Sequence, residues 1–241
     1  MFERQNFYMV TICILIIVFT CFFTAHTALA EPVGPVLIYN RTEEATPKSA
    51  LMLNTSGGTV TTLRLNATSQ NIGWKAYVGN ISGKLVLQDA DNFSVFEWDI
   101  STVAGEIYAT KSSTAINWDD IVCADSTVVA TEDSAFNKAT TDDDSITNTF
   151  VNITHDEFYV GTKYFAANKC NFTTATYVAN QPQYSNFQEI ILYDGSSAVY
   201  VSLLENSTVG YNNRHFDFQI ILPEDKTTMS NTAYYFYVEL D

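Results

Sequence analysis

Positive charge is scarce in this chain. Twelve Lys and Arg stand against 27 Asp and Glu, for a formal net charge of −15. A surface of that sign repels phosphates, which excludes nucleic acid as a partner and disfavours anionic lipid headgroups. It favours solubility and divalent cations. Histidine is rarer still: beyond residue 30 only His155 and His215 occur. There is no GxSxG elbow to carry a serine nucleophile, and no CxxC or paired-histidine pattern for zinc or haem. The carboxylates Asp89, Asp91, Glu97 and Asp99 could in principle flank a glycosidic bond. Strand alternation, however, puts Glu97 and Asp99 opposite Trp98, as on a solvated face. These absences argue against an enzyme, and an extracellular hydrolase is the least favoured reading.

Helical periodicity is also missing after residue 30, and no internal repeat is visible. What replaces it is period-2 alternation rich in Val, Ile, Thr, Tyr and Phe. Strands are expected over 36–40, 59–67, 73–79, 84–89, 94–100, 105–110, 126–131, 147–154 and 157–165. Further strands are expected over 174–179, 187–194, 198–205, 215–222 and 233–240. Asp194-Gly195-Ser196-Ser197 is a hairpin signal, and 73–100 reads as a three-strand meander with a turn at Asn80. One short helix is expected over 132–138 with Thr131 as N-cap, inside a poorly patterned acidic stretch, 111–145. The fold class is all-β: a β-sandwich of about a dozen short, mainly antiparallel strands, preceded by a signal or anchor helix. Trp74 and Trp98 are expected in its core, and the closing strand is expected to be central and buried.

The first 30 residues read as a targeting segment: a polar start, an apolar run over 7–25, and Ala28-Leu29-Ala30 as a small-x-small cleavage pattern. The run is also long enough to be retained as a membrane anchor. Both readings put the remainder, 31–241, outside the cytoplasm, at the cell surface or beyond it. They divide that remainder into an N-terminal strand and linker (31–50) and a β-sandwich domain (51–241). Cys13 and Cys21 belong to the apolar run, which leaves Cys123 and Cys170 to pair as one disulfide in an oxidising compartment.

Eight Asn-x-Ser/Thr triplets lie beyond residue 30, at Asn40, Asn54, Asn66, Asn80, Asn92, Asn152, Asn171 and Asn206. Composition alone would supply roughly 4 or 5, so with the leader they point to a glycoprotein. No cofactor is expected, beyond weak structural calcium at Asp142, Asp143 and Asp144. The run Asp89-Ala90-Asp91-Asn92 opens like a calcium loop and then breaks at Phe93. Trp118, in a loop beside Asp119 and Asp120, is the candidate ligand contact. The apolar stretch Val36, Leu37, Ile38 and Tyr39, entered through Pro32 and Pro35, is a candidate donor strand for a neighbouring subunit.

The strings WKAYVGNISG (74–83), FQEIILYDG (187–195), FDFQIILPED (216–225) and YYFYVEL (234–240) resemble those of a family of uncharacterised secreted archaeal proteins. The resemblance runs over most of the chain beyond the leader. It implies an archaeal extracellular β-sandwich protein, a surface-layer or filament component, and it carries over no catalytic residues. In architecture the chain also resembles secreted archaeal fibre subunits that polymerise by donor strands. The expected function is therefore a structural surface glycoprotein, pilus-like or part of the envelope. Its partners would be copies of itself or other surface proteins, with membrane contact only through 7–25. The alternative is a carbohydrate-binding or adhesive module.

Overall fold

The computed structural model describes residues 31–227 and 231–241. The expected leader helix lies outside them. Among the described residues no helix is long and apolar enough to cross a membrane. The protein is all-β, built on one six-stranded antiparallel sheet. Its main path runs β14 (Tyr235–Leu240), β4 (Gly105–Thr110), β10 (Ala198–Leu203), β9 (Gln188–Tyr193) and β5 (Val122–Cys123). The sixth strand, β8 (Thr173–Ala175), shares the outer edge of β9 with β5: β5 takes Tyr193 and Leu192, and β8 takes Ile190 to Gln188.

Both faces of this sheet are covered. Alternation sends Val199 and Val201 of β10, Ile190 and Leu192 of β9, and Tyr108 of β4 into one core. That core is closed by the hairpin of β6 (Phe158–Val160) and β7 (Lys163–Phe165), with Ile116 and Ile121 from the preceding loop. Ala109, Ile191, Ala198 and Tyr200 point the other way. They meet Ile220 and Leu222 of β13 (Phe218–Pro223), which pairs with β1 (Trp74–Gly79) as a second layer. Ser202 Oγ donates to the Gln219 carbonyl at 3.0 Å and joins the two layers. The three central strands therefore carry buried residues almost throughout, where a one-sided sheet would alternate apolar with polar.

Helix α1 (Ser126–Ala135) and the short α2 (Ile146–Thr149) complete the second face. Here the structure departs from the expected strand at 126–131. Asp125, not Thr131, is the N-cap, and its Oδ1 accepts from Thr127 N and Val128 N, both at 2.9 Å. Once capped, the β-branched run is held helical by packing of Val129, and Thr131 back-bonds to the Thr127 carbonyl. Asp133 then caps α2 from a distance, accepting from Ile146 N at 2.6 Å and Thr147 N at 3.1 Å. That tertiary cap turns the expected strand at 147–154 into a helical turn, after which Asn152 bridges to Thr173.

The hairpin at Asp194 forms as read, with Asp194 Oδ1 accepting from Ser196 N and Ser197 N and Gly195 at φ +91°. The meander at 73–100 does not form. As the chain leaves β1 it stays with β13, because Asp217 N donates to the Gly79 carbonyl and Asp217 Oδ2 accepts from Ile81 N. Consequently, among the described residues, β2 (Lys84–Gln88) and β3 (Ser94–Asp99) pair only with each other. The stretches 36–40 and 59–67 carry no strand. Gly105 is obligatory where β4 meets β14: at φ +117°, a Cβ would sit 2.2 Å from the Glu239 carbonyl oxygen.

Cys123 and Cys170 form the expected disulfide, with Cα atoms 5.2 Å apart and a sequence separation of 47. It ties β5 to the chain entering β8, the two short pieces that share one edge of β9. By the chain-entropy estimate a loop of that length contributes about 4 kcal/mol. Replacing both cysteines with serine is expected to lower the free energy of unfolding by about 2–4 kcal/mol, measured by urea titration.

Candidate assembly surface

The strand that closes the chain, β14, sits at the end of the sheet and not in its middle. Among the described residues only Val33 bridges its outer edge. Val33 N donates to the Val238 carbonyl at 3.0 Å, and Val238 N donates back at 2.8 Å. By strand periodicity Phe236 and Leu240 present their backbone groups on that same side. The pairing stops for a stated reason: the residue two beyond Val33 is Pro35, which has no N–H to give. The chain then leaves the edge, and Val36, Leu37, Ile38 and Tyr39 are 75–87% exposed. The exposed apolar residues continue through Leu51, Met52, Leu53, Val60, Leu63 and Leu65.

The β2–β3 ribbon is the second unpartnered element. Every residue of both strands is exposed. The register Leu85↔Trp98 and Leu87↔Phe96 puts four apolar side chains on one face. The other face carries Lys84, ion-paired to Glu97 at 2.6 Å. Phe96 and Trp98 meet edge-on at 4.8 Å, yet Trp98 stays 50% exposed and is not in the core as expected. At the ribbon's tip Asp89 Oδ1 accepts from Asp91 N and Phe93 N, so this acidic run closes a turn.

Trp74 is the tryptophan that joins the second core. Its Nε1 donates to the Asp144 carbonyl at 2.8 Å, and Lys138 Nζ lies 5.2 Å from its ring. Trp118 is half-buried and packs edge-on against Tyr108 and Tyr237, with centroids at 5.1 and 5.5 Å. Its ring is committed to packing, unlike a loop contact waiting for a sugar. The calcium candidates diverge: Asp144 pairs with Lys138 and Lys226, Asp142 Oδ2 accepts from Ala139 N, and Asp143 is exposed. Among the described residues no three His, Cys, Asp or Glu come together to hold a metal. Of the eight triplet asparagines, Asn40, Asn54, Asn66, Asn80, Asn92, Asn171 and Asn206 are exposed. Asn152 is half-buried, with Nδ2 bonded to the Thr154 carbonyl. His155 is buried and structural: its Nε2 accepts from Cys170 N at 2.9 Å.

Sequence reasoning missed a set of buried acids. Glu106 and Glu239 face each other across β4 and β14, 3% and 4% exposed. Glu239 accepts from the Tyr108 hydroxyl at 2.8 Å and from Gly161 N at 3.0 Å, while Glu106 Oε2 has no hydrogen-bond partner among the described residues. Burial, then the nearby Asp241 and Glu239 carboxyls, push the Glu106 carboxyl up to about 9. Burial also raises Glu239, and it raises Glu189, which caps Ile221 N from β9. The available signal was an acid inside each apolar strand: Glu106 in GEIYAT, Glu189 in FQEIILY and Glu239 in YYFYVEL.

No family model, no curated protein and no solved structure matches the chain.

The raised carboxyls set a pH dependence. A folded-state value above the unfolded one means that stability is fully present below the ordinary carboxylate range. It is lost as pH rises through the folded value, about 9 for Glu106. Glu106→Gln keeps a neutral polar group there. It is expected to raise stability at pH 8 by about 1–3 kcal/mol, to change little at pH 4.5, and to flatten the melting-temperature profile between them.

Proposed function

We propose that this chain is a structural glycoprotein of the cell surface, a filament (pilus-like) or envelope subunit that assembles through β-strand contacts. The observation that carries the reading is the pairing of an open sheet edge with unpartnered apolar chain. The outer edge of β14 is bridged only at Val33 among the described residues, and from that bridge through residue 72 the chain forms no strand and carries exposed apolar side chains. An edge of unpaired N–H and C=O groups is a template for another strand, and an apolar chain in water gains by being covered. Strand addition between copies is heterologous, so it need not close and can propagate as a filament. In this reading Val36, Leu37, Ile38 and Tyr39 donate to a neighbour while Val33 holds the home edge.

Three further features support it. The apolar run at 7–25, followed by Ala28-Leu29-Ala30, suits export. Seven exposed triplet asparagines suit a glycan-coated exterior, and the disulfide suits an oxidising compartment. The resemblance to secreted archaeal surface proteins points the same way and supplies the archaeal assignment.

The test is electron microscopy and sedimentation of the exported protein. Filaments or sheets are expected. Leu37→Asp with Ile38→Asp is expected to shorten or abolish them while leaving the thermal transition within about 0.5 kcal/mol of wild type, because both side chains are exposed. Strictly monomeric wild-type protein would sink the reading. Intact-mass measurement before and after deglycosylation checks the glycan part.

A further inference from the structure

The two unpartnered elements complement each other in charge as well as in polarity. Residues 45–72 contain Lys48 and Arg64 and no Asp or Glu, a net of +2 in a chain whose net charge is −15. The β2–β3 ribbon, 84–99, contains Lys84 against Asp89, Asp91, Glu97 and Asp99, a net of −3. Within the cationic stretch the apolar run Leu51-Met52-Leu53 and the pair Leu63 and Leu65, which flank Arg64, lie on either side of a turn. That turn is organised by Gly58 at φ +80° and by the Thr59 hydroxyl, which donates to the Ser56 carbonyl at 2.6 Å. The ribbon offers Leu85, Leu87, Phe96 and Trp98 on one face and has no third strand. An isolated two-stranded ribbon is marginal in water and needs another layer to be stable.

Within one copy both elements keep exposed apolar side chains. Leu51, Leu53, Leu63 and Leu65 remain 52–76% exposed, and the apolar face of the ribbon is open. We propose that residues 51–65 of one copy pack across the apolar face of the β2–β3 ribbon of a second copy. Apolar side chains would then be buried on both sides, and Arg64 would be drawn to the ribbon's acidic residues. The long-range attraction brings a cationic stretch of an acidic protein to an acidic ribbon on a like-charged molecule, which orients the encounter. The contact is heterologous, with different surfaces on the two partners, so it propagates. It rests on the reading that the protein assembles, and it names a donor and an acceptor separate from 36–39 and the edge of β14.

The test uses two variants of the full chain. One is donor-blocked (Leu63→Asp, Leu65→Asp) and one is acceptor-blocked (Leu85→Asp, Phe96→Asp). All four positions lie outside both cores, so near-ultraviolet circular dichroism and an intact Cys123–Cys170 disulfide are expected to match wild type. Each variant alone is expected to lose this association in sedimentation. With Leu37→Asp and Ile38→Asp added to both, which removes the 36–39 strand contact, an equimolar mixture is expected to yield a one-to-one dimer, since one intact donor then meets one intact acceptor. Raising salt is expected to weaken that dimer. If the wild type assembles and both variants assemble equally well, the inference is overturned while the assembly reading stands on the β14 edge. If in that background the mixture stays monomeric, the inference is again overturned. Wild type that never assembles would overturn both.

Discussion

Burying an antiparallel sheet on both faces removes the usual division of labour along a strand. In β4, β9 and β10 successive side chains point into two different cores, so neither set can face water. Both layers that cover them then become obligatory. The β6–β7 hairpin, with the disulfide beside it, closes one side. The β1–β13 pair and the two helices close the other. Even the break at Asn80 follows from this: β1 is held to β13 over the second core and is not free to turn back onto β2. The ribbon left over, β2–β3, stands outside both layers.

The same constraint explains the buried carboxyls. A strand with no solvent face has nowhere to point an acid, yet Glu106, Glu189, Glu132 and Glu239 sit in or against the central sheet. Glu239 and Glu189 serve as acceptors for Gly161 N and Ile221 N, which links a covering hairpin and a covering strand to the sheet. Glu132 keeps a cation, Lys111, at 2.8 Å. For Glu106, hydrogen bonds from Tyr159 and Tyr108 are outweighed by burial and by the Asp241 and Glu239 carboxyls, and its protonated form is the one the fold favours. The arrangement trades stability at high pH for polar links between layers, which restrict how the layers can slide.

Outside the two cores the chain is of a different character. Ion pairs there are exposed, as at Lys84–Glu97, and contribute little individually. Apolar side chains along 33–72 and on the ribbon are exposed among the described residues. The contrast between a sheet covered on both faces and the exposed apolar chain that leads away from its β14 edge is the physical basis for the proposal that the molecule is one part of an assembly.

Much of this was legible in the chain itself. Alternation located β1 to β4, β9, β10 and β14 to within a residue or two and β13 to within three, because strand pitch imposes period 2 whatever the partner. The turn at Asp194, the pairing of Cys123 with Cys170, the all-β class and the acidic surface are likewise local or compositional facts. Tertiary structure decided the rest, and the reason is that partners are non-local. The β-branched run 126–131 became helix because Asp125 and the second core outweigh intrinsic preference. The run at 147–149 followed because Asp133 caps it from thirteen or more residues away. Trp98 and Trp118 exchanged their expected surroundings, Trp98 facing solvent and Trp118 packing inward, because pairing order and not alternation determines which face of a strand finds a second layer. The facing of Glu106 and Glu239 depends on β14 returning to β4 across most of the sequence, a register that no local pattern encodes.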